Sequence, residues 1–372
     1  MEQSTLYFGS ENNSIGVDTS DIDLNSKYAT DEILRRSNLD WEVRTQDGLG
    51  DDWEYPNSTP RLSYRMATGE DGNPKKVLLG VATTQRKVFQ NFDIIKSIAT
   101  FCQQSNLPIL RVGSCDPYGV RNFAICGLGK DFFLNEEDQV KSQILVTHSH
   151  NKGSLNFGLI TERLICTNQL SLPKWLNKLA INHLSEFNEG RAIYYLQQLN
   201  RGVNLYQEQA SKLAETPIRD LDNSQEQRAK AWVVDSLGDV NKKISEQPIY
   251  VQQLLEDSDK IAKTIALKTV FNNGSKVVAP EEGLTKDDAD LDNLPKAFRE
   301  IMDSYYTAPG SELSTAFHTS WGALNACTHY YTHQTSWRNQ AQGHFSSLWI
   351  GSKAKACQTA LKESVAVSEM LS

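Results

Sequence analysis

Long apolar runs and a targeting segment are missing from this chain of 372 residues. Its longest hydrophobic runs, such as Val77–Ala82, fall far short of the roughly 20 residues that a membrane-spanning helix needs. The first residues, Met1–Thr5, have neither a basic start nor an apolar stretch, so no secretory signal is expected. These absences predict a globular protein without a membrane partner.

Cysteine is scarce, and its residues are widely scattered. A disulfide framework or a zinc site would show closely spaced pairs, and the chain has no CxxC pair. The pattern therefore predicts reduced thiols and, by default, a location in the cytoplasm of the host cell. The six cysteines are Cys102, Cys115, Cys126, Cys166, Cys327 and Cys357.

The signatures of common cofactor sites and hydrolases are also missing. There is no GxxxxGK[ST] loop for phosphates, no HExxH and no GxSxG. Gly127-Leu128-Gly129 lacks the third glycine of a dinucleotide loop. The sequence therefore predicts no cofactor and no catalytic residue.

Charge is unevenly distributed. Lys and Arg number 38 against 46 Asp and Glu, which gives a net charge of -8. Acidic residues dominate residues 1–60, whereas residues 80–203 are mildly basic. No strongly basic domain is present, but local phosphate contacts remain compatible with this distribution. The acidic start is interpreted as a flexible, solvated arm, and an arm that competes with nucleic acid for a basic groove is the alternative.

Hydrophobic periodicity predicts an α+β fold, with a sheet-rich N-terminal half that packs a helix, followed by a mainly helical C-terminal half. The turn at residues 69–74 predicts a hairpin. The predicted organisation is a flexible arm at 1–29, a sheet-rich α+β domain at 30–170, a helical region at 171–270, an acidic linker or long loop at 271–295, and a C-terminal helical region at 296–372. Predicted helices include Asn91–Cys102, Arg191–Leu213, Tyr250–Val270 and Ser314–Thr332.

Histidines are the best indication of an enzyme. His148 and His150 alternate and would share one face of a strand, whereas His329 and His333 share one face of a helix. Neutral imidazoles can bind metals, but no spacing completes a tetrahedral ligand set. Hydrogen-bonded or solvated rings are the favoured interpretation, and a metal site built from these four histidines is the alternative.

The segment Trp321–Trp349 is rich in aromatic residues that alternate with histidine and arginine. Such rings can stack on exposed bases. They can equally form a helical core, since tryptophan is highly buried on average. Core packing is favoured, and both interpretations stay open.

Several segments carry a family resemblance. Leu79–Asn91, Leu159–Leu170, Thr319–His333 and Gly351–Ala356 resemble segments of a phage/plasmid-like domain-of-unknown-function family. The resemblance implies a phage- or plasmid-borne protein of a DNA replication or recombination module. The order of sheet and helices is also similar, at the level of fold, to single-strand annealing proteins, which form ring-shaped homo-oligomers.

These observations lead to a DNA-binding hypothesis: a protein that binds or anneals single-stranded DNA as a homo-oligomer. It requires cations of the sheet half and rings of the helical half to converge on one exposed surface. Alternatives are a His-centred metal-dependent enzyme or anti-defence factor, and a scaffold or virion-associated protein. The predicted nucleic-acid-binding residues are Arg86, Lys87, Arg111, Arg121, Lys152, Arg163, Trp321, Tyr330, Trp337 and Arg338.

Overall fold

The computed structural model confirms the α+β class, with 46% helix and 23% strand. Strands fill the N-terminal half and helices the C-terminal half, as the periodicity predicts. The structure describes residues 15–48, 59–69, 71–151, 153–172, 179–240, 248–272, 294–335 and 340–372.

Two antiparallel sheets form the N-terminal half of the described chain. The larger has the order β1-β5-β6-β8-β9-β10, with β7 beside β8 and β11 beside β9, and the smaller has the order β2-β3-β4. The predicted hairpin is confirmed, because β3 and β4 pair on either side of the turn. The strands are β1 (Val17–Asp18), β2 (Arg44–Asp47), β3 (Pro60–Thr68), β4 (Pro74–Thr83), β5 (Ile109–Ser114), β6 (Arg121–Gly127), β7 (Phe132–Phe133), β8 (Gln139–Ser149), β9 (Ser154–Arg163), β10 (Asn168–Leu172) and β11 (Ala180–Asn182).

Some helices pack against the larger sheet, and the others pack on helices. The predicted helices at 91–102 and 191–213 correspond to α2 and α3. A π-helical turn, Tyr330–Gln334, directly follows α8. The helices are α1 (Ala29–Arg36), α2 (Asn91–Ser105), α3 (Glu189–Ala214), α4 (Asn223–Val240), α5 (Pro248–Glu256), α6 (Lys260–Asn272), α7 (Lys296–Thr307), α8 (Ser320–His329), α9 (Gln340–Ile350) and α10 (Ser352–Leu371).

Both faces of the larger sheet are covered. Successive side chains of a strand point to opposite faces, so Ile144 and Val146 of β8 join the main core with α2 and α3. Leu145, between them, joins a second core with Phe345 and Trp349 of α9. The sheet thus lies between α2 and α3 on one face and α9 on the other.

Two predicted helices differ from the structure. The segment 250–270 is broken between α5 and α6, where the Asp257 side chain accepts a hydrogen bond from the Asp259 backbone at 2.8 Å. The segment 314–332 becomes helical only at Ser320. The Thr319 hydroxyl caps this helix by accepting from the Gly322 backbone, and His318 before it has a φ of 56°. Side chains that bond nearby backbone compete with helix formation.

The predicted flexible arm is only partly described. From Ile15 onward it packs on the sheet, since Ile15 is buried and Val17–Asp18 pairs with β5. Residues 1–14 of the arm, and residues 273–293 of the predicted linker, lie outside the described residues.

All six cysteines lie in the described part of the chain, where they are buried and form no disulfide. In that same part, no helix has the length and apolar character to cross a bilayer.

Candidate nucleic-acid interface

A cleft of about 800 Å³ lies between α9 and the ends of β6, β8 and β9. The strand ends contribute polar side chains to its described walls and α9 contributes glycine and serine, while most of the exposed lining surface is apolar. The lining residues are Cys115, Asp116, Tyr118, Val120, Arg121, Asn122, Thr147, His148, Ser149, Gly153, Ser154, Asn156, Gly343, Ser346, Ser347, Ile350 and Gly351.

One carboxylate shapes the loop that forms the rim of the cleft. Asp116 Oδ1 accepts from the backbone N–H groups of Tyr118 and Val120, both at 3.0 Å. Its Oδ2 accepts from the Arg121 backbone at 2.7 Å. Such bonds are typical of an aspartate that organises a turn. The carboxylate of Asp116 is therefore occupied by the backbone, and the loop holds the Tyr118 ring outward, 60% exposed.

Arg121 begins β6 and is the lining residue that carries positive charge into the cleft. Its side chain is exposed, and Nη1 donates to Ser346 Oγ on α9 at 3.2 Å. This acceptor is a neutral hydroxyl, and the carboxylate of the cleft, Asp116, accepts from the Arg121 backbone rather than forming an ion pair with the guanidinium. The arginine thus remains able to donate to an anion.

A second arginine supports the rim from the smaller sheet. Arg65 Nε donates to the Tyr118 backbone carbonyl at 3.0 Å. Its guanidinium carbon lies 5.2 Å from the centre of the Trp41 ring. The space above Gly119 is also filled by Trp41, since a Cβ built on this glycine would lie 2.6 Å from that ring. Arg65 and Trp41 therefore fix the position of Tyr118 and bring another cation beside it.

Arg86 holds the turn on the opposite side of the cleft. Its Nη2 donates to the Ser149 carbonyl at 2.9 Å, and Nη1 lies 3.5 Å from the Gly153 carbonyl. The side chain is half-buried, and this burial lowers its pKa. Predicted as a phosphate contact, Arg86 instead uses the donors described here for the backbone of the cleft wall.

Three histidines lie behind this wall, on the α2 face of the sheet. The rings of His148 and His150 are 4.4 Å apart, and that of His183 is 5.1 Å from His148. Burial lowers the pKa of all three, to about 3 for His150 and about 4 for His183. The alternation of His148 and His150 predicts that they share one face of a strand. His183 directly follows β11, and nothing in the local sequence predicts that it joins them.

Hydrogen bonds engage two of the three histidines in this cluster. His150 Nε2 lies 3.1 Å from Asn91 Oδ1, which can accept, and 3.3 Å from Asn122 Nδ2, which can donate, so two amide groups contact this nitrogen. His183 Nδ1 donates to the Lys87 carbonyl at 2.8 Å. One ring nitrogen of each of these two histidines is therefore engaged by protein groups. Among the residues that the structure describes, no group of three or more His, Cys, Asp or Glu side chains could hold a metal ion.

The second predicted histidine pair has backbone and amide partners. The rings of His329 and His333 are 4.8 Å apart. His329 Nδ1 lies 3.1 Å from Asn168 Oδ1, and His333 Nε2 donates to the Cys166 carbonyl at 2.9 Å. Burial lowers the pKa of both imidazoles. The pair thus joins the π-helical turn to the start of β10.

Two predicted nucleic-acid contacts are wrong, because they are buried together. Arg163 is 3% exposed and donates from Nε and Nη2 to the two oxygens of Asp138, at 2.6 and 2.8 Å. Trp321, also 3% exposed, donates its indole N–H to the same Asp138 at 3.3 Å. Neither a phosphate nor a base can reach these side chains. Trp321 therefore follows the core-packing alternative.

Three further predicted residues lie outside the cleft lining. Lys87 pairs with Glu186 at 2.7 Å. Arg111 donates to the Ile15 carbonyl at 3.1 Å, and burial lowers its pKa. Tyr330 is half-buried against the main core. Lys152, Trp337 and Arg338 lie outside the described residues, so their predicted roles are not placed.

Arg121 is thus the predicted phosphate contact that reaches the cleft, and sequence reasoning missed its neighbours. The exposure of Tyr118 could have been predicted, since Asp116-Pro117-Tyr118-Gly119 is a turn sequence that exposes its central residues. Arg65 and Ser346 had none, because each reaches the site from a distant part of the chain.

Comparison with known proteins identifies a family but no characterised relative. The family model "Domain of unknown function (DUF932)" matches residues 78–349. This span contains the cleft lining from Cys115 to Ser347. No curated protein and no solved structure matches the chain.

Proposed function

The chain belongs to the DUF932 family, whose description assigns no activity, and from the cleft itself we propose that the protein binds single-stranded nucleic acid. The observation that carries the proposal is the position of Arg121 and Tyr118 in the lining of one cleft. They supply the cation and the exposed ring that a strand requires, whereas Arg163 and Trp321 are buried.

Phosphate binding is supported by the walls around Arg121. Arginine and hydroxyl side chains supply many of the protein–phosphate contacts in known complexes. Here Thr147, Ser346 and Ser347 line the cleft with the arginine. A phosphate that displaces Ser346 would keep a charge-assisted hydrogen bond to the guanidinium, which is roughly twice as strong as a neutral one.

A single strand fits the rim better than a duplex. Bases that are unpaired present an open face, and stacking on an aromatic ring contributes about 1–3 kcal/mol per base. Tyr118 offers such a ring, with the Arg65 guanidinium held at its backbone. In a duplex the bases are already stacked, so this ring would contribute little.

The proposal also includes an origin on a phage or plasmid, strand annealing, assembly as a homo-oligomer and a location in the host cytoplasm. Origin and annealing rest on the sequence resemblance, and location rests on cysteine usage. An acidic total charge is compatible with nucleic-acid binding, because the local potential governs docking.

The test is a binding titration with the full chain. Fluorescence anisotropy of a labelled oligothymidine of about 30 nucleotides is measured at about 20 and 200 mM salt, because counterion release makes affinity fall with salt. We expect low-micromolar or tighter binding at low salt, and weaker binding of a duplex of equal length. An absence of binding at micromolar protein in low salt would refute the proposal.

Assembly is tested on the same samples by light scattering after size exclusion. A strand-dependent change in oligomer size supports annealing by an assembled protein. An oligomer size that does not change when the strand is added, together with no anisotropy change, would favour the scaffold hypothesis.

A further inference from the structure

Lys353 and His344 form a close pair of nitrogen groups at the junction of α9 and α10. Lys353 Nζ lies 2.8 Å from His344 Nδ1. His344 is 4% exposed, whereas the lysine is half-buried and retains access to solvent. The two residues belong to different helices, and Gly351 separates these helices with a backbone bond to the Ser347 carbonyl. Both side chains are therefore fixed by a sharp change in chain direction.

The hydrogen bonds define which nitrogen of His344 holds the proton. The ring also hydrogen-bonds the backbone of Thr332, an interaction that raises its pKa. A protonated Lys353 has hydrogen-bond donors but no acceptor. Nδ1 of His344 is therefore the acceptor, and the ring N–H is at Nε2. The imidazole is therefore a neutral acceptor with its lone pair directed at the lysine.

Most buried lysines are held in their charged form by a carboxylate, and the partner here is an imidazole. Burial lowers the pKa of Lys353 to about 8, and Cys357 acts weakly in the opposite direction. Burial, followed by the charges of Lys353 and His333, lowers the pKa of His344 to about 4. At neutral pH the imidazole is thus uncharged, and roughly a tenth of the lysine is free amine, against well under a hundredth for a lysine in water.

We propose that Lys353 is a nucleophilic lysine and an acylation site, with His344 as the residue that positions its amine. The Nζ lone pair attacks the carbonyl carbon of an activated acyl donor, and the bond from that carbon to the leaving group breaks. The leaving group departs with the electron pair of that bond, and the amine proton passes to water. The product is a neutral amide on Lys353. His344 accepts one N–H of the free amine, which leaves the lone pair directed away from the ring.

The experiment measures the acetylation rate of each lysine in the folded chain. N-hydroxysuccinimidyl acetate is applied in its light form before unfolding and in its heavy form afterwards, and peptides are quantified by mass spectrometry between about pH 6.5 and 10. Lys355, exposed and one residue beyond Ala354 on the same helix, is the matched control.

We expect Lys353 to react about tenfold or more faster than Lys355 at pH 7, and its rate to approach a plateau above about pH 9 as the amine becomes fully deprotonated. A rate at or below that of Lys355 at pH 7 would overturn the proposal and leave Lys353 as a packing residue. This result is independent of nucleic-acid binding, which the binding titration tests separately.

Two variants separate nucleophilicity from simple accessibility. Lys353→Arg should remove the fast site and leave the rate at Lys355 unchanged. His344→Asn places an amide oxygen near the position of Nδ1, whereas His344→Phe removes the acceptor. Retention of the fast rate in His344→Asn and a loss of threefold or more in His344→Phe would support the positioning role. Equal rates in both variants, at unchanged circular dichroism, would refute it.

Discussion

The Asp138 carboxylate receives both nitrogens of the Arg163 fork, with Nε at 2.6 Å and Nη2 at 2.8 Å. Neither residue is exposed to solvent by more than 3%. The Asp138 carboxylate also accepts from the helical half, through the Thr315 hydroxyl and the Trp321 indole. The pair therefore ties the end of β9 to the loop before α8, and its charges compensate each other inside the protein.

Arg163→Met should destabilise the fold by about 3–5 kcal/mol, because it leaves the buried Asp138 charge without its cation. Urea unfolding followed by circular dichroism measures this change. Arg61→Met is the matched control, since Arg61 pairs with Asp47 at 2.7 Å on the surface and should matter far less. Similar losses in the two variants would contradict the assignment of Arg163 as a structural residue.

A second prediction concerns the close packing of α8 against the backbone of the preceding loop. A Cβ on Gly322 would collide with the Ala316 carbonyl oxygen. Gly322→Ala should therefore cost about 3 kcal/mol or more of unfolding free energy, as overpacking against backbone does. Gly238→Ala, in an open position of α4 with no atom within 4 Å, should instead stabilise by about 0.5–1 kcal/mol. Thermal unfolding of both variants checks the opposite signs.

The sequence was sufficient for features that depend on local patterns. Alternation and helical spacing predict the order of sheet and helices and the pairing of His148 with His150, and the turn residues predict the β3–β4 hairpin. The Asp138 contacts could not be predicted, because they join residues 25, 177 and 183 positions apart. Periodicity shows that a residue faces the core but does not identify its distant partner.

The same limit explains why only part of the predicted binding site agrees with the structure. Arg121 and Arg163 both stand at strand ends in a mildly basic region, so the sequence treats them alike. Only the fold reveals that Asp138 faces Arg163 whereas Ser346 faces Arg121. A cation is available for a phosphate only where no carboxylate compensates it, and that difference is a tertiary property.

The histidine cluster should make the protein sensitive to acid. In the folded state the pKa of His150 is about 3 and that of His183 about 4, whereas an unfolded histidine titrates near 6.5. Because the unfolded chain binds more protons between these values, the stability present above about pH 6.5 is lost as the pH falls toward 4. We expect the unfolding free energy to decline steeply between about pH 6.5 and 4.5.

His148→Leu tests the origin of that slope. Burial also lowers the pKa of His148, so its removal takes away one proton bound on unfolding. The slope of the unfolding free energy against pH should therefore decrease by about 1.4 kcal/mol per pH unit at most. Between about pH 7.5 and 8.5 the slope should be almost the same in the two proteins. An unchanged slope below pH 6.5 would show that other groups determine the acid sensitivity.

Arg121→Gln should weaken binding of a single strand and reduce its salt dependence. The loss of one phosphate contact should lower the slope of log K against log salt by about 0.7. Arg201→Gln, an exposed arginine of α3 outside the cleft lining, is the matched control and should leave the slope unchanged. Equal effects of the two substitutions would indicate binding by general surface charge and would remove the cleft from the proposal.

Tyr118→Ala should lower affinity for the strand by about 1–3 kcal/mol, because it removes the exposed ring on which a base would stack. Tyr194→Ala is the control, since Tyr194 on α3 is 53% exposed against 60% for Tyr118. Stacking depends little on salt, so the loss should persist at about 200 mM salt, where the contribution of Arg121 is reduced. Tyr118→Phe should retain full affinity, because the ring and not the hydroxyl makes the contact. If Tyr118→Phe is as weak as Tyr118→Ala, the residue acts through its hydroxyl, and the stacking role is wrong even where Arg121 is required.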